Sequence, residues 1–130
     1  MLDLKRVKKR MEFKRTSAIY LQIAEHISDN ILRRSWEAEY KIPSIREMAV
    51  TLEVNPNTIA RTYAYLEDLG IIYTQRGIGY FVTHDAYERV LKWRKQNFLQ
   101  HELPWVFKTM ALLNISFNEL QTLRGDDENK

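Results

Sequence analysis

Apolar residues recur at helical spacing near the start of the chain and predict a first amphipathic helix. The repeat runs through Tyr20, Ile23, Ala24, Ile27 and Ile31. These residues share one face of a helix, so they are expected to pack against the rest of a domain. The pattern ends at residues 34–35, and residues 36–40 are expected to form a short loop.

The next segment has the signals of two short helices joined by a tight turn. Ser44 and Glu47 have the spacing of a capping box at a helix start, and this helix is expected to continue to residue 52. After a turn at residues 53–54, Asn55 caps a second helix with Pro56 at its first position, where the missing N–H costs nothing. Gly70 is expected to end that helix. The pattern predicts a helix-turn-helix.

Two runs rich in β-branched and aromatic residues follow the second helix. They cover residues 71–74 and 80–83 and flank the segment QRGIG at residues 75–79, whose glycines favour a hairpin tip. A helix-turn-helix followed by such a wing is typical of a DNA-binding domain. We therefore expect a mainly α fold with a small β-hairpin, in which residues 16–83 form a winged helix-turn-helix domain and a short helical dimerisation module follows it.

The second helix of this motif has two different faces. The face expected to be buried carries Ile59, Tyr63 and Leu66. The opposite face carries Asn57, Thr58, Arg61 and Tyr65 and has no carboxylate before residue 67. Arginine suits guanine and asparagine suits adenine in the major groove, and the helix dipole favours phosphate near the helix start. The alternative is that this polar face is only solvated, on a three-helix domain. The wing favours the interpretation that the face binds DNA.

Several stretches of the motif carry a family resemblance. They are IPSIREMA at residues 42–49, VNPNTIARTY at 54–63, LE at 66–67, Gly70, and RGIGYFV at 76–82. On these residues, the region from about residue 19 to residue 82 resembles the GntR family of bacterial transcription regulators. The short helical remainder resembles the YtrA-type subgroup. The resemblance implies a transcription regulator that binds double-stranded DNA. It also implies a repressor that controls a neighbouring transport operon and its own gene.

The resemblance also implies roles for particular residues. DNA contacts in the family come from the arginine of a Pro-Ser-x-Arg motif, from the start of the recognition helix and from a wing-tip glycine. These positions match Arg46, residues 57–58 and Gly77. With the polar face of the second helix and the rest of the wing tip, the predicted DNA-binding residues are Ser44, Arg46, Asn55, Asn57, Thr58, Arg61, Thr62, Tyr65, Arg76 and Gly77.

The recognition helix departs from the family pattern at two positions. Many relatives have arginine where this chain has Pro56 and Ala60. Arg61 therefore does not inherit a family role. The segment Asn-Pro-Asn-Thr at residues 55–58 resembles the YtrA-type branch, so base specificity is expected to differ from that of the better-known subgroups.

The region after the wing is charged and helix-forming, and then rich in large apolar residues. Pro104 is expected to kink or restart the helix, and residues 116–119 repeat the capping-box pattern. Two short helices cannot bury all these apolar groups, so residues 84–123 are expected to form a homodimer that reads an inverted-repeat operator. The predicted dimerisation residues are Tyr87, Leu91, Phe98, Trp105, Phe107, Met110, Leu113, Phe117 and Leu120. An aromatic ligand box of Trp93, Trp105 and Phe107 is the alternative.

Charge and composition limit the remaining classes. The 130 residues carry a net charge of +3, with a basic extension at residues 1–15 and an acidic tail at residues 124–130. Met11 would make an ordinary start for the family, which leaves residues 1–10 as an extension. The chain has no cysteine and no apolar run long enough to span a membrane, so we expect a cytoplasmic protein.

No catalytic pattern stands out in the sequence. His26, His84 and His101 are isolated, and the glycines at residues 77 and 79 precede a strand rather than a helix. We therefore expect no enzyme activity, no cofactor and no metal site. A small-molecule effector is not indicated by the residues. A helical adaptor that never touches DNA is the remaining alternative, and absence of duplex affinity at moderate salt would favour it.

Overall fold

The computed structural model describes residues 18–128. The chain divides into two compact units, and the division falls between Lys92 and Trp93. The elements are α1 (Ile19–Leu32), α2 (Ile45–Leu52), α3 (Pro56–Asp68), β1 (Ile72–Gln75), β2 (Gly79–Val82), α4 (Ala86–Asn97), a π-helix (Phe98–Glu102), α5 (Leu103–Leu113) and α6 (Phe117–Glu128). The predicted basic extension at residues 1–15 lies outside the described residues.

The winged unit is built around one apolar core. Helices α1 and α3 pack against each other, and their apolar faces are buried as their spacing predicts. Tyr20 was also expected on the buried face of α1, but it is only half-buried. The fully or almost fully buried apolar residues include Ile23, Ile27, Ile31, Ile42, Ile59, Tyr63, Leu66, Ile71, Ile72 and Val82.

The helix ends of the winged unit follow the predicted capping signals. The Ser44 hydroxyl accepts a bond from the Glu47 amide at 3.1 Å, and the Glu47 carboxylate accepts one from the Ser44 amide at 3.3 Å, which completes the capping box. Asn55 caps α3 through the Asn57 amide at 2.8 Å. Gly70 follows α3 with φ +73°, a left-handed conformation that glycine adopts without steric cost. These caps fix where the recognition helix begins and ends.

The wing is a two-stranded antiparallel hairpin with one additional neighbour. Its register pairs Ile72 with Val82 and Gln75 with Gly79. On its other side, β2 pairs with the segment that precedes α2: the Ile42 amide donates to the Tyr80 carbonyl at 3.0 Å, and an isolated bridge joins Lys41 to Phe81. The wing is therefore attached by backbone bonds to the segment that leads into the helix-turn-helix.

The winged unit extends further along the chain than the sequence pattern predicts. Ala86 and Val90, on the first half of α4, are 1% and 0% exposed. Both belong to the unit that ends at Lys92. The predicted domain boundary at residue 83 therefore lies too early, because it separates these two core residues from the domain whose core they complete.

The C-terminal unit is helical throughout its described residues, with one short connection. The helix that starts as α4 widens into the π-helix, and α5 begins with Pro104 in its first turn, at the position where the sequence predicts a kink or a restart. Asn114 ends α5 in a left-handed conformation with φ 56°. Helix α6 continues to Glu128, so most of the predicted acidic tail is the last part of a helix. Within residues 18–128, no helix has both the length and the apolarity needed to cross a membrane.

Candidate nucleic-acid interface

Helix α3 is held by contacts from its buried face to two other parts of the winged unit. The Tyr63 hydroxyl donates to the Pro43 carbonyl at 2.7 Å, and the Tyr63 ring packs edge-on against Tyr80 of the wing, with centroids 4.9 Å apart. Burial raises the pKa of Tyr63, so its hydroxyl keeps the proton that it donates. One side chain therefore links α3 to the segment before α2 and to the wing.

The opposite face of α3 is accessible along most of its length. Asn55, Asn57 and Arg61 are exposed, and Thr58 and Tyr65 are half-buried. The first turn of α3 has no acidic residue, and the positive end of the helix dipole favours phosphate there. The face predicted to approach DNA is therefore polar, free of carboxylate up to residue 66, and positive at its N-terminal end.

Thr62 was predicted to contact DNA, and the structure contradicts this prediction. Its side chain is 0% exposed. The Thr62 hydroxyl lies 2.9 Å from the Tyr20 carbonyl oxygen and 3.0 Å from the Thr58 carbonyl oxygen. Thr62 therefore faces the backbone of α1, although it is the residue next to the exposed Arg61. Thr62 joins two helices and has no surface for a base or a phosphate.

An aromatic cluster that sequence reasoning missed adjoins Arg61. The Arg61 guanidinium carbon lies 4.0 Å from the centroid of the Tyr20 ring, in the range of a cation–π contact. Tyr65 packs edge-on against the same ring, with centroids 5.9 Å apart. The three residues come from α1 and from one side of α3, so no local sequence pattern joins them. The one signal in the sequence was the spacing of Arg61 and Tyr65, which are four residues apart and so occupy positions i and i+4 of the same helix.

The start of α2 presents the residues of the Pro-Ser-x-Arg motif. Arg46 is exposed in the first turn, where its side chain is available to a phosphate. Ser44 is also exposed, and its oxygen already accepts a bond within the capping box. Its hydroxyl hydrogen remains available to donate. The structure thus leaves both predicted residues accessible and gives Ser44 a structural role as well.

The wing tip is open. Arg76 and Gly77 are exposed. Gly77 has φ +79°, and apart from its own atoms and its two chain neighbours no heavy atom lies within 4 Å of the point where a Cβ would be placed. At Gly79 a Cβ would lie 2.9 Å from the Lys41 Cε. The Lys41 side chain therefore passes beside Gly79 at the tip end of β2, and it adds a cation there that the sequence analysis did not identify.

The residues predicted to form a dimer fall into two groups. Leu91, Phe98, Trp105, Phe107, Leu113, Phe117 and Leu120 have exposures between 37% and 67%. Met110 is 7% exposed, so it is not available to a second subunit. The Tyr87 ring lies under the Arg34 guanidinium, 3.6 Å from its carbon, within the winged unit. The assignment of Tyr87 and Met110 to an interface is therefore not supported.

The family described as "Bacterial regulatory proteins, gntR family" matches residues 19–82 of the chain. This match covers α1, the helix-turn-helix and the wing. A crystal structure of a transcriptional regulator of the GntR family from Bacteroides thetaiotaomicron is similar to the chain with a TM-score of 0.68 and 41% identity. The likeness covers 86% of this chain and 97% of that one, so it includes the C-terminal helices.

Two proteins of Bacillus subtilis (strain 168) are also similar in sequence. The HTH-type transcriptional regulator YhcF is 38% identical over 109 residues, which cover 84% of this chain and 88% of YhcF. The HTH-type transcriptional repressor YtrA is 37% identical over 71 residues, 55% of each chain. These relatives are regulators rather than enzymes, and they support the YtrA-type subgroup. The chain belongs to the GntR family of bacterial regulatory proteins and is a DNA-binding transcription regulator.

Proposed function

We propose that this regulator is a dimeric repressor that reads an inverted-repeat operator with two copies of α3. The observation that carries the proposal is the accessible face of α3, where Asn57 and Arg61 are exposed on a surface without carboxylates. Asparagine and arginine are the side chains that pair with adenine and guanine in the major groove. The relative YtrA is named a repressor, and an occupied operator in the cytoplasm would block polymerase at the regulated promoter.

Different residues of the proposed interface make different kinds of contact. Arg61 and Asn57 read base edges, and Arg46 holds a phosphate. The wing tip lays Arg76 and Gly77 along the neighbouring backbone or minor groove. Gly77 supports this placement because the space around it is open and a side chain there would keep the backbone away from DNA.

The proposed dimer rests on the apolar surface of the C-terminal unit. Phe117, Leu113 and Trp105 are 67%, 61% and 42% exposed. Homodimer interfaces are richer in such residues than the rest of a protein surface. A second copy of the same unit would bury them, and it would hold two recognition helices at the spacing of two half-sites.

The proposed DNA binding is tested in two steps. The full chain first selects fragments from random duplex DNA, and the affinities of variants for the selected site are then measured. Arg61→Ala is expected to weaken binding by about 1–3 kcal/mol and to remove the preference at one base pair. Arg46→Ala is expected to weaken binding to all sequences and to reduce the salt slope by about one. Arg33→Ala is the control, because Arg33 is exposed at the end of α1, outside the proposed interface. Equal losses for all three variants would mean that binding is only electrostatic.

The dimer arm is tested by light scattering of the full chain. Phe117→Asp is expected to shift the protein from dimer to monomer, because it places a charge on the proposed apolar contact. Asn118→Asp adds the same charge at the neighbouring exposed residue and is expected to leave the dimer intact. A monomeric parent protein at tens of micromolar would contradict the proposed assembly.

A further inference from the structure

We infer that Tyr20 is a positioning residue that holds the Arg61 side chain ready to read a base before DNA arrives. The inference rests on the proposed function, because it assigns a means of orientation to one of the proposed base contacts. Tyr20 lies in the first turn of α1, outside the helix-turn-helix, and belongs to none of the predicted DNA contacts.

The geometry gives Arg61 a fixed neighbour on one side. Its guanidinium carbon is 4.0 Å from the centroid of the Tyr20 ring, and a flat cation at this distance is attracted by the ring face. The ring is itself supported. Tyr65 packs edge-on against it at 5.9 Å, and the Tyr20 carbonyl accepts a bond from the buried Thr62 hydroxyl at 2.9 Å. Two contacts therefore hold Tyr20 in place: the Tyr65 ring packs against its ring, and the Thr62 hydroxyl is bonded to its backbone carbonyl.

The contact leaves the groups that read DNA available. A cation–π contact uses the face of the guanidinium, whereas the N–H donors that pair with guanine point outward from its edge. Arg33 pairs with Asp29 and Arg89 with Asp85, and among the residues that the structure describes no salt bridge to Arg61 is seen. Binding to a base therefore requires no salt bridge of Arg61 to be broken.

Orienting a long side chain in advance changes affinity through entropy. A free arginine loses rotamer freedom when it pairs with a base, and part of that cost is avoided if the side chain is already restrained. The benefit is confined to sequences that Arg61 recognises. Tyr20 should thus affect discrimination between operators more than affinity for unrelated DNA.

The first experiment observes the contact without DNA. In the full-length protein, the ring of Tyr20 should shift the NMR resonances of the Arg61 side chain, since the guanidinium lies over the ring face. Tyr20→Phe retains the ring and is expected to retain the shift, whereas Tyr20→Leu is expected to abolish it. An Arg61 resonance that is the same in the parent and in Tyr20→Leu would overturn the inference, whatever the protein binds.

The second experiment is a double-mutant cycle on the selected operator and on a duplex changed at the base pair that Arg61 reads. Tyr20→Leu is expected to reduce the ratio of the two affinities by about two- to five-fold, the size of an exposed cation–π contact. Tyr20→Phe should retain the ratio of the parent. In an Arg61→Ala background, Tyr20→Leu should change the ratio no further.

The outcomes separate the inference from the proposed function. If Arg61→Ala leaves the ratio unchanged, the proposed base contact of Arg61 is wrong. If Arg61→Ala lowers the ratio and Tyr20→Leu does not, the contact stands and the positioning role is wrong. A loss for Tyr20→Leu that persists undiminished in the Arg61→Ala background would reduce Tyr20 to a structural residue. Thermal melting of each variant identifies any loss that comes from unfolding.

Discussion

The winged unit and the C-terminal unit differ in how completely each buries its own apolar side chains. In the winged unit, Tyr63, Leu66 and Val90 are all 0% exposed. In the C-terminal unit, Leu112 and Phe117 are 78% and 67% exposed, and Met110 is the one buried apolar residue among those described there. The first unit therefore has a core of its own, whereas the second has an apolar surface that favours association.

This difference predicts two roles for apolar residues along a single chain of 130 residues: folding in the winged unit and, in the proposed dimer, assembly in the C-terminal unit. Apolar residues of the winged unit stabilise the fold that carries α3. The same residue types in the C-terminal unit are exposed in one copy of the chain, so their contribution to folding of that copy is small. Identical substitutions in the two units should therefore have different effects, and the size of that difference can be measured.

The largest expected effect compares one substitution in the two units. Leu66→Ala empties a position that is 0% exposed, and loss of a buried leucine costs about 2–5 kcal/mol of unfolding free energy. Leu112→Ala removes the same atoms from a side chain that is 78% exposed and should cost less than about 0.5 kcal/mol. Urea unfolding measures both values. Similar losses would contradict the contrast between the units.

A smaller effect is expected from moving the C-terminal end of the winged unit. A chain that stops after Lys92 should unfold cooperatively, because it retains the buried side chains of Ala86 and Val90. A chain that stops after Thr83 loses both, and should be less stable by about 2–3 kcal/mol on the area scale for buried apolar side chains.

Thermal melting of the two truncated chains tests this boundary. Equal melting temperatures would mean that α4 adds nothing to the winged core. In that case the boundary that the sequence pattern gives, at residue 83, would be sufficient for folding. Light scattering of both chains would also show whether the winged unit associates without α5 and α6.

The smallest effect compares two helix caps. Ser44 takes part in both bonds of a capping box, whereas Ser116 accepts one bond, from the Glu119 amide at 3.2 Å. Ser44→Ala is expected to cost about 1 kcal/mol of unfolding free energy, and Ser116→Ala should cost less. Serine-to-threonine variants, which keep the hydroxyl, serve as controls. A larger loss at Ser116 would mean that α6 contributes more to folding than its exposed surface indicates.

Much of the winged unit could be predicted because its signals are local. The Ser44–Glu47 spacing, the Asn55–Pro56 pair and Gly70 each act within one turn of backbone. The apolar spacing of α3 also identified its buried face. These signals depend on neighbouring residues alone, so the chain can be read for them without its tertiary structure.

The errors arose where a contact joins distant parts of the chain. Thr62 lies beside Arg61 in the sequence, yet its hydroxyl is bonded to the Tyr20 carbonyl, 42 positions away. Tyr87 has the spacing of an interface residue and instead packs on Arg34. A side chain at the edge of the buried face of a helix can turn toward the core or toward solvent. Which way it turns depends on the element that packs against that edge.

The amino-acid sequence by itself determined the order of the helices, their caps, the wing and the family motifs. The tertiary structure decided which members of those motifs are accessible, because accessibility depends on long-range packing. It turned Thr62 inward, placed the Tyr20 ring under Arg61 and extended the winged core to Val90. Local backbone preferences specify where elements begin and end, whereas the environment of each side chain is set by residues far along the chain.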